Sequence, residues 1–146
     1  MKAVKKMVNP KTKGSSFERQ VAKELEDLLG IRFDRNPFEQ QRQANQPDLV
    51  TRLETWPFSI ECKRYKGGSF MPAWWKQSKS AAEAHGKLPC VIYKFDRQPI
   101  WVAVGWDAIG AMHGVEYNED DLVFMNLESF AFVAREIMSA ERISNG

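Results

Sequence analysis

Hydrophobic residues at helical spacing predict a helix near the start of the chain. Phe17, Val21, Leu25 and Leu28 recur every three or four residues, which places them on one face of a helix. A serine at position 15 or 16 is a favourable first residue, and Gly30 is a common stop signal. We therefore expect an amphipathic helix that starts at one of these serines and ends before Gly30.

Further along the chain, apolar residues alternate with polar ones or form short runs, and both patterns are typical of strands. The predicted strands are Ile31–Phe33, Asp48–Leu53, Phe58–Tyr65, Pro89–Phe95 and Ile100–Val104, with a further one at 122–125. A turn near residues 54 and 55 joins the second and third of them, and Asp96-Arg97-Gln98 forms the turn before the fifth.

Three later segments have the pattern of helices. Pro72 suits a first helical turn, and the helix Ala73–His85 ends at Gly86. Asp107–His113 predicts a short helix. A C-terminal amphipathic helix is indicated by Leu127, Phe130, Ala134, Ile137 and Met138.

The main elements follow the order α-β-β-β-α-β-β-α, which predicts an α/β protein with a mixed β-sheet flanked by helices. We find no repeat and no domain boundary, so residues 15–146 form a single predicted domain. Residues 1–14 carry five lysines and no acidic residue, which predicts either a flexible basic arm or a solvated tail without a function.

The charge is distributed unevenly along the 146 residues. The formal net charge is only +2, but residues 1–94 carry +8 and residues 95–146 carry −6. A strongly basic first part indicates that this part faces an anion, and nucleic acid is the leading candidate.

Nothing in the sequence is typical of a membrane or secreted protein. No apolar run approaches the roughly 18 residues of a membrane span, and no apolar stretch follows the N-terminal lysines. Cys62 and Cys90 lack the spacing of a zinc site or a disulfide framework. The sequence predicts a soluble cytoplasmic protein with two reduced, buried thiols.

Two acidic residues fall on neighbouring strands of the predicted hairpin. If its turn is centred between residues 54 and 55, Asp48 lies directly across from Glu61. Cross-strand Cβ atoms are about 5 Å apart, so the two carboxylates repel each other unless a cation lies between them. Hard oxygen ligands suit Mg²⁺ or Mn²⁺, and we therefore expect a divalent metal site here.

Glu18 is a candidate third acid, with two interpretations. It lies within the apolar stripe of the first helix, where a carboxylate needs a partner, and a metal ion at Asp48 and Glu61 would provide one. Alternatively, Ser15 and Glu18 form a capping box, in which the glutamate bonds back to the first turn of the helix.

Lys63 also has two interpretations. Strand alternation places it on the same face as Glu61, about 7 Å along the strand. It either neutralises Glu61 as a surface pair or orients and deprotonates an attacking water and stabilises the charge of a transition state.

These residues resemble the motif of the PD-(D/E)XK nuclease superfamily. The motif here is Pro47-Asp48 followed by Glu61-Cys62-Lys63 and preceded by the helical Glu18. More narrowly, the chain is similar to archaeal-type Holliday junction resolvases and related phage resolvases over residues 14–104. The matching segments are Gly14–Lys23, Pro47–Val50, Ile60–Arg64, a helix with Gln77, and Gly86–Pro89.

The resemblance implies a restriction-endonuclease-like core and Mg²⁺-dependent hydrolysis of phosphodiester bonds, with Mn²⁺ as a substitute. It implies Glu18, Asp48 and Glu61 as metal ligands and Lys63 as the catalytic lysine. Resolvases of this kind are homodimers that cut a four-way junction symmetrically. Branched DNA and a second copy of the chain are thus the expected partners, in a bacterial or archaeal cell and by analogy from a phage.

The predicted DNA-binding residues surround this motif: Arg64, Lys66, Gln77 and Lys79, with Lys13 from the arm. Lysine and arginine bind phosphates without reading sequence. Gln77 is either an exposed helical residue or the counterpart of a glutamine near the site of exonuclease-like relatives. The Gln-rich segment 39–46 departs from the Gly/Ser-rich loop of the relatives, and its role is not predicted.

The neighbouring Trp74 and Trp75 also leave two interpretations open. Tryptophans early in a helix pack in a core or at a dimer interface, or one of them stacks on an unpaired base.

Three functions are consistent with the sequence. The first is a structure-selective endonuclease for branched DNA, above all a Holliday junction resolvase. The second is a recombination exonuclease or another DNA endonuclease on the same core. The third is a non-catalytic DNA-binding protein, against which the intact set of Glu18, Asp48, Glu61 and Lys63 argues.

Overall fold

The computed structural model describes residues 10–37, 44–114 and 121–145. In these ranges the elements are α1 (Pro10–Leu29), β1 (Asp34–Arg35), β2 (Leu49–Val50), β3 (Phe58–Tyr65), α2 (Pro72–His85), β4 (Leu88–Phe95), β5 (Trp101–Gly105), α3 (Trp106–His113), β6 (Leu122–Met125) and α4 (Leu127–Asn145). The six strands form one sheet in the order β1-β2-β3-β4-β5-β6. It is mixed, because β3 and β4 are parallel and the other neighbours antiparallel.

The first helix starts earlier than the sequence predicts. It begins at Pro10, so residues 10–14, which belong to the predicted basic arm, are helical. A proline fits this position because the first turn of a helix needs no backbone N–H from it. The rest of the predicted basic arm, residues 1–9, lies outside the described residues.

The hairpin that carries the two acids has the predicted register. Leu49 pairs with Ile60, and the turn falls at residues 54 and 55. β2 is shorter than expected because Thr51 Oγ1 accepts the backbone N–H of Leu53 at 3.3 Å, which takes this donor out of the strand ladder. β1 lies at Asp34–Arg35, just after the predicted position, and pairs with β2.

Helix α2 connects the parallel strands β3 and β4 and has the predicted bounds. Pro72 occupies its first turn, and Gly86 adopts the left-handed conformation with a φ of 64°. Lys87 N–H then donates to the carbonyl of Ala82 at 2.9 Å, which closes the end of the helix.

The sheet has an apolar core on each face, since alternate strand residues point to opposite sides. One core contains Phe17, Val21 and Leu25 of α1, Phe58 and Ile60 of β3, and Phe130 and Ile137 of α4. The other contains Trp74, Trp75, Val91, Tyr93 and Ala103, so α2 covers this side. Both tryptophans are buried core residues, which excludes the interpretation that one of them stacks on a base.

None of the helices in the described ranges is long and apolar enough to cross a membrane.

Candidate active site

Asp48 and Glu61 lie side by side on the hairpin and are almost fully buried, with 4% and 2% of their surface exposed. The backbone N–H of Asp48 donates to the carbonyl of Ile60 at 2.8 Å. Its carboxylate oxygen Oδ2 accepts the N–H of Cys62 at 2.7 Å. The aspartate is therefore fixed to β3 through both its backbone and its side chain, directly beside Glu61.

Lys63 lies on the same face of β3 as Glu61, as the alternation predicts. Its Nζ atom is 3.5 Å from Glu61 Oε1 and donates a hydrogen bond to Gln77 Oε1 at 2.7 Å. The lysine side chain is largely buried, with 16% of its surface exposed, which the surface-pair interpretation does not predict. Gln77 thus links α2 to the site and is more than an exposed helical residue.

Glu18 reaches the same region from α1. Its Oε2 atom accepts a hydrogen bond from Arg35 Nε at 2.6 Å, and Arg35 Nη2 donates to Ser15 Oγ at 3.0 Å. Because α1 begins at Pro10, Ser15 lies within the helix, and its hydroxyl accepts from Arg35. The capping-box interpretation of Ser15 and Glu18 is therefore wrong.

Arg35 is the member of this group that the sequence did not indicate. It belongs to a strand of only two residues, and no periodicity marks so short an element. Its pairing with Leu49 places it beside Asp48, where its positive charge meets Glu18.

The thiol of Cys62 reports the combined field of the three acids. Burial raises its pKa well above the ordinary value, and the negative charges of Asp48, Glu18 and Glu61 raise the pKa further. All three carboxylates therefore lie close enough to Cys62 of β3 to affect its thiol electrostatically. The raised pKa means that Cys62 is protonated at neutral pH, so it is a poor nucleophile.

The donor set fits a hard divalent cation, although the side chains do not stand as a closed ligand shell. Within the residues that the structure describes, no group of three His, Cys, Asp or Glu side chains is arranged to hold a metal ion. Glu18 is engaged by Arg35 and Asp48 by the N–H of Cys62. Two adjacent buried carboxylates nevertheless form the oxygen-rich, negative environment that Mg²⁺ prefers.

The predicted DNA-binding residues have different environments. Arg64 pairs with Asp96 at 2.7 Å and donates to the carbonyl of Tyr65, so it braces the end of β3. Lys66 and Gln77 are exposed, and Lys79 is half-buried. The side chain of Lys13 and residues 39–43 of the Gln-rich segment lie outside what the structure describes.

Comparison with known proteins assigns the family. Residues 9–136 match the model of the family described as "Phage putative PDDEXK endonuclease", and this range contains Glu18, Asp48, Glu61 and Lys63. The chain belongs to this family. The protein is therefore a nuclease by family, and its mixed six-stranded sheet flanked by helices is a restriction-endonuclease-like core, as predicted.

A solved structure with a similar fold is the Holliday junction resolvase Hjc from Archaeoglobus fulgidus. The two chains are 18% identical, the match covers 88% of this chain and 98% of that chain, and the TM-score is 0.49. A search of curated proteins finds no match.

Proposed function

We propose that this nuclease is a Mg²⁺-dependent, structure-selective endonuclease that hydrolyses phosphodiester bonds in branched DNA, with a four-way junction as its preferred substrate. The observation that carries the proposal is the arrangement of Asp48, Glu61 and Lys63 on one hairpin, with Glu18 acting on the same point. Members of an endonuclease family need such a site for hydrolysis, and the resemblance to resolvases supports the junction.

Asp48 and Glu61 would hold the Mg²⁺ ion, and Glu18 would join them by exchanging its contact with Arg35 for the cation. Mn²⁺ has a similar preference for oxygen ligands and would substitute for it. When bound, the cation would act as a Lewis acid on the phosphate and lower the pKa of a nearby water.

Lys63 supplies a positive charge at the scissile phosphate. Its Nζ atom, fixed between Glu61 and Gln77, would bind a phosphate oxygen and stabilise the negative charge that develops as water attacks. Gln77 acts as a positioning residue, because its carbonyl oxygen holds the ammonium group at 2.7 Å. A fixed donor needs no rearrangement in the transition state.

The rest of the substrate is bound through its backbone. Lys66 and Lys79, with Lys13, would contact phosphates near the site without reading sequence. Two copies of the chain would place two sites on opposite strands of a junction and would make paired cuts. We place this activity in the cytoplasm of the host cell, in agreement with the phage family.

One cleavage assay tests this function. The protein is incubated with Mg²⁺, and separately with EDTA, on a four-way junction, a linear duplex and a single strand. We expect paired symmetric nicks in the junction alone, and only with the metal. Intact DNA in every Mg²⁺ lane, despite binding, would contradict the proposal and favour a non-catalytic DNA-binding protein.

A second candidate, an exonuclease that starts at DNA ends, is favoured by the contact between Gln77 and Lys63. A glutamine near the site resembles the pattern of exonuclease-like relatives, and here it bonds to the candidate catalytic lysine. The same assay separates the two activities. Stepwise shortening of the linear duplex from its ends, with no internal nick in the junction, would favour an exonuclease over the endonuclease.

A further inference from the structure

A largely apolar cavity of about 460 Å³ lies next to the candidate active site. Its walls come from the segment before Asp48, from β2, from the start of β3 and from the end of α2. Its lining includes Pro47, Leu49, Thr51, Leu53, Trp56 and Ser59. Its volume lies in the range of small-molecule sites.

The cavity adjoins the residues proposed to act on the phosphate. Pro47 directly precedes Asp48, and Ser59 lies two residues before Glu61 on the same face of β3. Residues two apart on a strand are about 7 Å from each other. A group in the cavity therefore lies about one nucleotide unit from the candidate metal ligands.

The walls combine flat apolar surface with a few polar groups. Leu49, Leu53 and Trp56 provide the apolar part, and Asn36 is one of the polar residues of the lining. Trp56 Nε1 and Ser59 Oγ are fully buried and have almost no accessible surface. The polar contacts open to an occupant therefore come from lining residues such as Gln46 and Thr51.

A nucleobase has the matching chemistry, since it has two flat apolar faces and an edge of donors and acceptors. We propose that the cavity receives one unstacked nucleobase of the DNA substrate, beside the phosphate to be cut. The inference rests on the proposed function, and it explains how the enzyme would select branched DNA. A base leaves its stack at the lowest cost where pairing is already interrupted, as at a branch point.

The test places the fluorescent adenine analogue 2-aminopurine at the branch point of a four-way junction. Binding is measured in an Asp48→Asn background, so that the DNA is not cut. We expect the emission to rise when the protein binds, because the base leaves the quenching stack. Emission that stays at the stacked level while the protein binds the junction would overturn the inference.

A matched pair of variants tests whether the rise in emission depends on the cavity. Thr51→Trp places a large side chain in the cavity, whereas Thr55→Trp places the same side chain in the turn, outside the lining. We expect Thr51→Trp to abolish the rise in emission and to slow junction cutting about 10-fold, the size of one lost base contact. Thr55→Trp should match the wild-type protein, and equal behaviour of the two variants would overturn the inference.

Leu53→Ala keeps the inference testable if Thr51→Trp does not fold. Leu53 lines the cavity and is 40% exposed, so its truncation should change the midpoint of thermal unfolding little. Junction binding should still weaken about threefold, because the base loses apolar contact. Unchanged junction binding by a folded Leu53→Ala protein would count against the cavity, whereas absence of junction cutting by the wild-type protein would count against the proposed function.

Discussion

At the scale of single residues, the candidate catalytic side chains are each oriented by a short hydrogen bond. Asp48 is held by the N–H of Cys62, Lys63 by Gln77, and Glu18 by Arg35. These contacts come from four different elements, so each residue can be tested for its own role.

Replacement of Asp48 by asparagine should abolish cutting and leave DNA binding intact. The amide oxygen of asparagine can still accept the N–H of Cys62, but the negative charge that would hold Mg²⁺ is lost. We expect the rate of cutting to fall by more than the roughly 100-fold that the loss of an outer-shell group costs. Junction cleavage and a gel-shift titration measure the two properties, and a wild-type rate would show that the metal site lies elsewhere.

Gln77→Ala should lower kcat by about 10-fold and leave the affinity for the junction unchanged. The lysine loses the acceptor that holds its Nζ atom, so it is less well placed when charge develops. Gln98→Ala, in the turn between β4 and β5, is the control with the same change in side chain. A rise in KM without a change in kcat would instead assign Gln77 to substrate binding.

The buried thiol of Cys90 predicts a loss of stability at alkaline pH. Burial raises its pKa well above the ordinary value of about 8.5, so the folded state binds the thiol proton more tightly than the unfolded chain does. The contribution of Cys90 to the free energy of unfolding should therefore be constant below about pH 8.5 and fall as the pH rises toward about pH 10. Urea unfolding across this range measures how steeply the free energy of unfolding falls with pH. The fall should be smaller in Cys90→Ala, and an equal fall in the two proteins would show that Cys90 does not cause it.

At the scale of elements, helix α2 determines where Gln77 lies. It begins at Pro72 and ends at Gly86, and the left-handed conformation of Gly86 is one that a side chain disfavours. Gly86→Ala should destabilise the protein by about 1 kcal/mol. In chemical denaturation, Gly67→Ala is the control, because an added Cβ there meets no atom within 4 Å and the glycine has no positive φ.

The elements that the sequence predicts well are those whose ends are marked by proline, glycine or regular alternation. The observed bounds of β3 equal the predicted ones, since apolar and polar residues alternate over Phe58–Tyr65. The bounds of α2 follow from Pro72 and Gly86 in the same way. This is why Asp48, Glu61 and Lys63 could be placed beside one another in advance.

Other structural features depend on contacts that produce no periodic pattern in the sequence. The start of α1 at Pro10 was missed because residues 10–14 lack apolar spacing, and Ser15 has the properties of a first residue. Arg35 lies in a strand that exists only through its pairing with β2. The contact of Glu18 with Arg35 joins elements 17 residues apart in sequence, which local patterns do not encode.

At the scale of the whole molecule, the basic part of the chain carries the candidate active site and the acidic part does not. The elements that carry the candidate site, from α1 to β4, belong to the basic part of the chain, and α4 belongs to the acidic part. DNA binding should therefore weaken as salt rises, since lysines displace counterions from phosphates.

Lys66→Gln should reduce the slope of log K against log salt by about one and weaken binding equally for all sequences. Arg135→Gln removes the same charge from α4, away from the candidate site, and should leave the slope unchanged. Gel-shift titrations at several salt concentrations measure both slopes. Equal slopes for wild-type and Lys66→Gln protein would remove Lys66 from the DNA-binding surface.

The parallel pairing of β3 with β4 has a consequence for how the enzyme arises during synthesis. β3 gains its whole second edge, from Phe58↔Leu88 to Tyr65↔Phe95, only from β4, a strand that comes after α2. A nascent chain that ends between residues 66 and 87 thus contains every proposed catalytic residue but lacks β4, the strand that pairs with β3 along Glu61 and Lys63. The nuclease should therefore stay inactive on the ribosome until β4 has emerged and paired with β3.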